Sequence, residues 1–311
     1  MKKLLFAVAA MSAGISLADV SSANVVGYST ITLPAGQEYG MYAMPFDSVS
    51  DAEGGLTMYE VFPEPFNSFK GGVGAASADQ IMFWYNGDYK SLYLFSNPKV
   101  VTRHGKWINP GSVPNTTSWG TPNQPTQLKI KGGTSFWIKR NVATGTDKSD
   151  KAAMAAALPE KTVTVSGQVV TKQSGVAEYA ITPATASAGA YTLVAAGFTA
   201  PFVPNPNLVD PSKPKATWIE DGCKGGVGAA SADQLMIWHN GDYKSLYLFS
   251  NPNVATRHGY WINPGSVPES SWGTPNQPSK VQIQPTQGFW YFRQKGQTGE
   301  LTFKVQQPYS L

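Results

Sequence analysis

Short apolar runs, many of them alternating with polar residues and separated by Gly, Pro and Asn, recur along the chain after residue 24. Residues 81–85 and 89–95 form two such runs around Asn86-Gly87-Asp88, and Asn-Gly between apolar runs is a strong hairpin signal. The second hairpin is predicted at 235–249. Further strands are predicted at 25–33, 38–44, 105–109, 126–130, 134–139, 163–171, 177–182, 191–196, 281–284, 289–293 and 301–305. This pattern is typical of an all-β fold of sandwich-like or barrel-like units.

One segment departs from the strand pattern. Asp150 precedes the Ala-rich run 151–158, and Pro159 ends it. A capping residue, a run of good helix formers and a terminating proline predict a short helix. We interpret this helix as part of a linker.

The chain contains an internal duplication. Residues 70–114 match 224–268 at an offset of 154, and six of these 45 positions differ. The match resumes at an offset of 153, where 119–125 is identical to 272–278. We therefore expect two homologous β-units in tandem. The sequence divides into a signal peptide at 1–23, unit 1 at 24–145, a linker with the short helix at 146–160, and unit 2 at 161–311.

Side-chain alternation predicts which face of the hairpin is buried. Ile81 and Phe83 share one face of their strand, and their counterparts in unit 2 are also apolar but different. Such swaps are typical of a core that repacks, so this face is predicted to be buried. Trp84 and Trp238 then lie on the opposite face, against another sheet, the other unit or a partner.

Composition narrows the class of protein. Only 14% of the residues are charged, the net charge is +4, and no basic block is present, which argues against disorder and against nucleic-acid binding. Lys2 and Lys3 precede an apolar run that is too short to span a membrane, as in a secretory signal peptide. We expect a secreted protein without a membrane span, located outside the cell, at its surface or in the periplasm.

Nothing in the sequence marks a catalytic centre. The three histidines, His104, His239 and His258, do not form a metal-binding pattern, and the repeated Asp79/Asp233 and Asp88/Asp242 lie where turns and caps are expected. We predict no enzyme activity, no metal and no cofactor. Cys223 is the single cysteine, and it is either a small buried residue or the site of an intermolecular disulfide.

Aromatic residues are the most prominent candidates for binding. Eight of the nine Trp residues occur in repeat pairs, and Trp218 is the exception. Aromatic side chains beside Asn, Gln and Asp can hold sugars by stacking and hydrogen bonding, although the cores and turns of β-proteins also use Trp and Tyr. The candidate residues for ligand or partner binding are Trp84, Trp238, Trp119, Trp272, Tyr89, Tyr243, Tyr93, Tyr247, Arg103, Arg257, His104 and His258. Trp119 and Trp272 stand out because their polar loops make a core role less natural.

Several motifs resemble one group of proteins. Ser22-Ala-Asn-Val-Val-Gly-Tyr28, Leu33-Pro-Ala-Gly36 and the strands ending at Arg140 and Arg293 are similar to uncharacterised secreted tandem β-proteins of the planctomycete–verrucomicrobial bacterial group. The resemblance implies export and repetition, and it carries no catalytic residue. The near-identity of the two units differs from the divergent repeats of that group.

Two functions remain open from the sequence. The first is a non-enzymatic extracellular structural or surface protein that self-associates through its duplicated units into a filament, tube or layer. The second is a bivalent carbohydrate-binding protein with one aromatic site per unit, whose partner is an extracellular or cell-surface glycan.

Overall fold

The computed structural model describes residues 25–50, 54–111, 119–172, 174–265 and 270–309. The predicted signal peptide lies outside these ranges. Within them, the chain forms seventeen strands in five sheets with antiparallel pairing and two α-helices. The prediction of an all-β fold is therefore confirmed.

Unit 1 contains a five-stranded sheet, a three-stranded sheet and a short two-stranded ladder. Its strands are β1 (Val26–Leu33), β2 (Tyr39–Ala43), β3 (Phe46–Asp47), β4 (Leu56–Thr57), β5 (Gln80–Tyr85), β6 (Asp88–Leu94), β7 (Trp107–Ile108), β8 (Lys129–Ile130), β9 (Ser135–Lys139) and β10 (Lys161–Val169). The large sheet has the order β2-β9-β5-β6-β7, the second has the order β1-β10-β3, and β4 pairs with β8. Its helices are α1 (Met58–Val61) and α2 (Lys151–Ala157).

Unit 2 repeats the large sheet. Its strands are β11 (Val176–Ile181), β12 (Ala190–Ala195), β13 (Gln234–His239), β14 (Asp242–Leu248), β15 (Trp261–Ile262), β16 (Gly288–Arg293) and β17 (Leu301–Gln306). The large sheet has the order β12-β16-β13-β14-β15, and β11 pairs with β17. The predicted strand at 281–284 is reduced to a single bridge between Phe202 and Ile283.

Each unit buries its core between its large sheet and its smaller sheet. In unit 1, Ile81 and Phe83 of β5 pack with Ile31 of β1 and Val163 of β10. In unit 2, Leu235 and Ile237 pack with residues of β11 and β17. The prediction that positions 81 and 83 face the core is confirmed, since their side chains are 0% and 6% exposed.

The opposite faces of the two large sheets pack against each other. Trp84 contacts Trp290 with ring centroids 5.1 Å apart, and Trp137 contacts Trp238 at 5.0 Å. Since Trp84 corresponds to Trp238 and Trp137 to Trp290 in the repeat, the two contacts are related by a pseudo-twofold axis. We call these four residues the tryptophan interface. Of the alternatives predicted for Trp84 and Trp238, the other unit is the one observed.

The repeated hairpins have the turn predicted from Asn-Gly. Asn86 and Gly87 have φ values of 50° and 80°, and Asn240 and Gly241 have 51° and 82°. Two successive residues with positive φ define a type I′ turn, whose twist matches that of the strands, and Asn-Gly is the pair that adopts it most readily.

The sheets correct the division of the chain between the units. The strand at 161–169 belongs to unit 1, because β10 pairs with β1 from Lys161 to Gln168 and places Val163 and Val165 in the core of unit 1. The Ala-rich helix α2 therefore lies inside unit 1, between β9 and β10, and is not a linker. The connection between the units is the short segment 170–175. The predicted boundary at residue 160 is therefore too early, because alternation predicts a strand without indicating its partner.

Candidate functional site

An open cavity of about 630 Å³ lies on the surface of unit 2. Its wall comes from Ile237 and His239 at the end of β13, from Trp272, and from the segment 280–287. The His239 and Trp272 rings are 5.8 Å apart. The volume falls within the range of about 300–1,000 Å³ that is common for small-molecule sites.

Two substitutions between the repeats reduce the side-chain volume beside this cavity in unit 2. Positions 237 and 239 correspond to Phe83 and Tyr85, which are among the six differences in the repeated block. In unit 1 the Phe83 and Tyr85 rings pack beside Trp119, at 5.7 and 6.1 Å. Ile237 and His239 are smaller, so the space filled by larger side chains in unit 1 borders the cavity in unit 2.

Three glutamine residues line one side of the cavity, Gln282, Gln284 and Gln287. Gln284 and Gln287 are the first and last residues of a turn, in which the backbone N–H of Gln287 donates to the backbone carbonyl of Gln284 at 2.9 Å. Gln287 Nε2 also donates to the Trp238 carbonyl at 3.2 Å, which fixes the orientation of this side chain. Gln282 and Gln284 are exposed. Primary amides can both donate and accept hydrogen bonds, which suits a ligand rich in hydroxyl groups.

The lining is nearly free of charge. Among the described residues that line the cavity, Lys280 is the only Lys or Arg, and no carboxylate is present. The site therefore has no pair of carboxylates of the kind that glycoside hydrolysis requires. Across the described residues, no three His, Cys, Asp or Glu side chains are grouped as metal ligands would be.

The structure places the predicted residues of the sheet faces between the units. Trp84 and Trp238 lie in the tryptophan interface, and the Trp238 indole donates to the Tyr39 carbonyl at 3.1 Å. Tyr243 accepts a hydrogen bond from Trp290 Nε1 at 2.9 Å, and its pKa is raised, mainly by burial. The Tyr89 ring lies 5.0 Å from that of Trp84, and burial raises its pKa to about 12. Trp84, Trp238, Tyr89 and Tyr243 therefore all contribute to the contact between the units.

Four other predicted aromatic residues are buried. Trp119 and Trp272 are 3% and 4% exposed, so the expectation that their loops present the indoles as sugar platforms is wrong. These indoles turn inward onto the cores, and Trp272 also borders the cavity of unit 2. Tyr93 and Tyr247 are each 6% exposed and pack in small clusters with Ile108 and Ile262, so they offer no open surface.

The repeated Arg-His pairs stabilise loops. Arg103 and Arg257 lie over the rings of Phe95 and Phe249, at 4.9 and 4.7 Å from the ring centroids. The backbone amides of His104 and His258 donate to the carbonyls of residues 100 and 254 in matching turns. Neither pair lines the unit 2 cavity.

Cys223 is 4% exposed and packs in the core of unit 2. Burial raises the pKa of its thiol to about 12, so the thiolate is scarce at neutral pH. Of the two sequence interpretations, the small buried residue is the one observed, and the intermolecular disulfide does not fit this position.

The repeated buried aspartates are structural. Asp79 accepts the backbone amides of Lys70 and Asn141 at 2.8 and 2.5 Å. Asp233 accepts those of Lys224 and Gln294 at 2.8 and 2.7 Å. Each carboxylate links the start of a glycine-rich loop to the residues that follow β9 in unit 1 or β16 in unit 2. This agrees with the turn or cap role expected from the sequence.

The three glutamines that line the unit 2 cavity are not among the site residues predicted from the sequence. Gln282, Gln284 and Gln287 replace Lys129, Lys131 and Thr134 of unit 1, so two cations and one hydroxyl become amides in the aligned repeats. Together with the smaller residues at 237 and 239, this change was the available signal.

The chain matches no protein-family model, no curated protein and no solved structure. Within the described ranges, no helix is both long enough and apolar enough to cross a bilayer. The resemblance based on the N-terminal and strand-ending motifs therefore stays a prediction, and the best evidence on function is the geometry of the unit 2 cavity.

Proposed function

We propose that the protein is a non-enzymatic, exported protein that binds a neutral glycan in the cavity of unit 2. The observation that carries the proposal is the lining, which combines exposed amides, the partly exposed ring of His239 and a single Lys, Lys280. Sugar hydroxyls both donate and accept hydrogen bonds, and the apolar faces of sugar rings pack on aromatic groups. The N-terminal sequence supports export.

The proposal differs from the bivalent arrangement expected from the sequence. The equivalent region of unit 1 carries the larger Phe83 and Tyr85 rings beside Trp119, and Lys129 and Lys131 stand in place of the amides. One neutral site per chain follows from this difference. Avidity within a single chain is then not expected.

The duplication supplies a matched pair of variants for the test. The Ile237→Phe/His239→Tyr double variant installs the side chains that unit 1 already accommodates beside Trp119, so it narrows the cavity beside Trp272 with a known packing solution. The Phe83→Ile/Tyr85→His variant makes the reverse change in unit 1 and serves as the control. Both proteins are first compared with the wild type by circular dichroism and thermal unfolding.

Binding is measured by affinity electrophoresis in gels that contain xyloglucan, glucomannan, galactomannan, hydroxyethyl cellulose or dextran, with alginate and polygalacturonate as anionic comparisons. We expect retardation by at least one neutral polymer, and a loss of about tenfold or more in affinity for the unit 2 variant alone, which corresponds to about 1.4 kcal/mol. No retardation by any neutral polymer, or equal retardation of both variants, contradicts the proposal.

A second candidate, self-association, is supported by the edge of β1. Within the described residues β1 has a strand partner on one side only, and Val26 and Tyr28 are 60% and 80% exposed. An edge strand with exposed apolar side chains can pair with a second chain. Light scattering of the mature chain is expected to show assemblies that a Tyr28→Lys substitution reduces to monomers, and a wild-type monomer at high concentration contradicts this candidate.

A further inference from the structure

A second cavity, of about 390 Å³, lies where the two units meet. Unit 1 contributes residues of β1 and β2, and unit 2 contributes Trp238 and the turn 284–287. Gln284 and Gln287 line this cavity and also the cavity of unit 2. The two cavities therefore share part of their wall, the turn that carries Gln284 and Gln287.

The boundary cavity continues the chemistry of the first. Among the described residues that line it, none is charged, and Ser29, Thr30 and Thr32 supply hydroxyl groups while Gln37 supplies an amide. The Tyr42 hydroxyl donates to the Thr32 carbonyl at 3.0 Å, and this bond joins β2 to β1 and fixes the wall. Wall and turn are both held in place by hydrogen bonds before any ligand arrives.

The boundary on the far side of the pseudo-twofold axis is built differently. There the Tyr179 hydroxyl lies so close to Gly133 of unit 1 that a Cβ atom at residue 133 would be only 2.9 Å from it. The large phenol ring thus occupies a place at the junction with unit 1. The residues at this second junction therefore differ from Ser29 and Thr30, which line the boundary cavity.

We propose that the boundary cavity is a second subsite, so that the ligand is an internal stretch of a linear neutral polysaccharide lying across both units. This inference rests on the proposed function, because the boundary cavity shares Gln284 and Gln287 with the unit 2 cavity. A single sugar fills only one of the two cavities, whereas a chain placed over Gln284 and Gln287 reaches both. Linked contacts at the two subsites strengthen each other through their effective concentration.

The test uses the oligosaccharide ladder, from disaccharide to octasaccharide, made by partial hydrolysis of the neutral polymer that retards the full-length mature protein. Calorimetric titration then gives Kd against chain length. We expect Kd to fall by about tenfold or more once an oligomer is long enough to fill both cavities, the affinity gain that corresponds to about 1.4 kcal/mol.

A matched pair of variants locates the gain. Thr30 lines the boundary cavity, and Thr164, its partner across the β1–β10 ladder, is also exposed but does not line it. Thr30→Trp is expected to abolish the gain for long oligomers while keeping the affinity for short ones, and Thr164→Trp is expected to leave both unchanged.

The outcomes separate the two proposals. A Kd independent of length above the shortest bound oligomer, or equal behaviour of the Thr30 and Thr164 variants, overturns the second subsite and leaves the unit 2 site standing. Absence of binding to every neutral polymer overturns the proposed function itself.

Discussion

The tryptophan interface yields a quantitative prediction about how the two units stabilise each other. The Trp84–Trp290 pair has an interplanar angle of 87° and the Trp137–Trp238 pair one of 76°, so both are edge-to-face contacts. Such pairs contribute about 0.5–1.5 kcal/mol beyond their buried area. Double-mutant cycles with alanine are therefore expected to give a coupling energy of about 0.5–1.5 kcal/mol for each pair.

The single variants should not be equal. Trp137 and Trp290 are 4% and 5% exposed, and replacing either with alanine should cost about 3–5 kcal/mol. Trp290 Nε1 also donates to the Tyr243 hydroxyl at 2.9 Å, whereas among the described residues no acceptor lies in hydrogen-bond geometry to the buried Nε1 of Trp137. Trp290→Ala should consequently cost about 1 kcal/mol more than Trp137→Ala.

Urea unfolding followed by far-ultraviolet circular dichroism measures these values without relying on the tryptophan signal. Ile81→Val combined with Trp290→Ala is the control, because Ile81 lies in the core of unit 1 and outside the interface, so the two effects should add within about 0.5 kcal/mol. Coupling below about 0.3 kcal/mol in both tryptophan cycles would refute the packing of the two faces.

Three further predictions concern the turns, a buried carboxyl and the thiol. Gly87→Ala and Gly241→Ala should each lower the free energy of unfolding in urea by about 1–2 kcal/mol, because both positions have positive φ. The space around each position is open, so no steric clash should add to this cost, and a loss in one hairpin only would contradict the equivalence of the turns. Burial raises the pKa of Asp79 above its ordinary value of 3.8, so its contribution to stability is largest below pH 3.8 and falls as the pH rises through the raised pKa; an NMR titration midpoint at or below 3.8 would contradict this. Cys223, at 4% exposure, should react with a disulfide reagent only in denaturant, and rapid reaction of the native protein would show that the site opens.

Local features of the fold could be predicted from the sequence because their causes are local. The hairpins follow from Asn-Gly between apolar runs, and the buried face of β5 follows from the alternation of Ile81 and Phe83 with Met82 and Trp84. Helix α2 follows from Asp150, whose carboxylate accepts the amides of residues 152 and 153. The four-residue helix α1 was missed, since a single turn leaves no periodicity to detect.

Features that depend on the partner of an element could not be predicted. The alternation of β10 identifies a strand but does not indicate that its partner is β1, more than a hundred residues earlier. Trp119 and Trp272 sit in polar loops, yet their indoles pack inward, because the direction of a loop side chain is decided by the space that the sheets leave. The boundary cavity forms only where the turn 284–287 of unit 2 meets β1 and β2 of unit 1.

The pseudo-twofold contact also bears on stoichiometry. In an assembly of two identical subunits, each substitution appears at both ends of the symmetric body, so a new cavity comes in pairs. Here both halves belong to one polypeptide, and the residues that join them are distinct from Ile237 and His239, which line the cavity. The halves can thus differ in ligand chemistry while the contact that unites them keeps its symmetry. A saturating ligand titration should accordingly reach one equivalent per chain, where a symmetric pair of units would take up two.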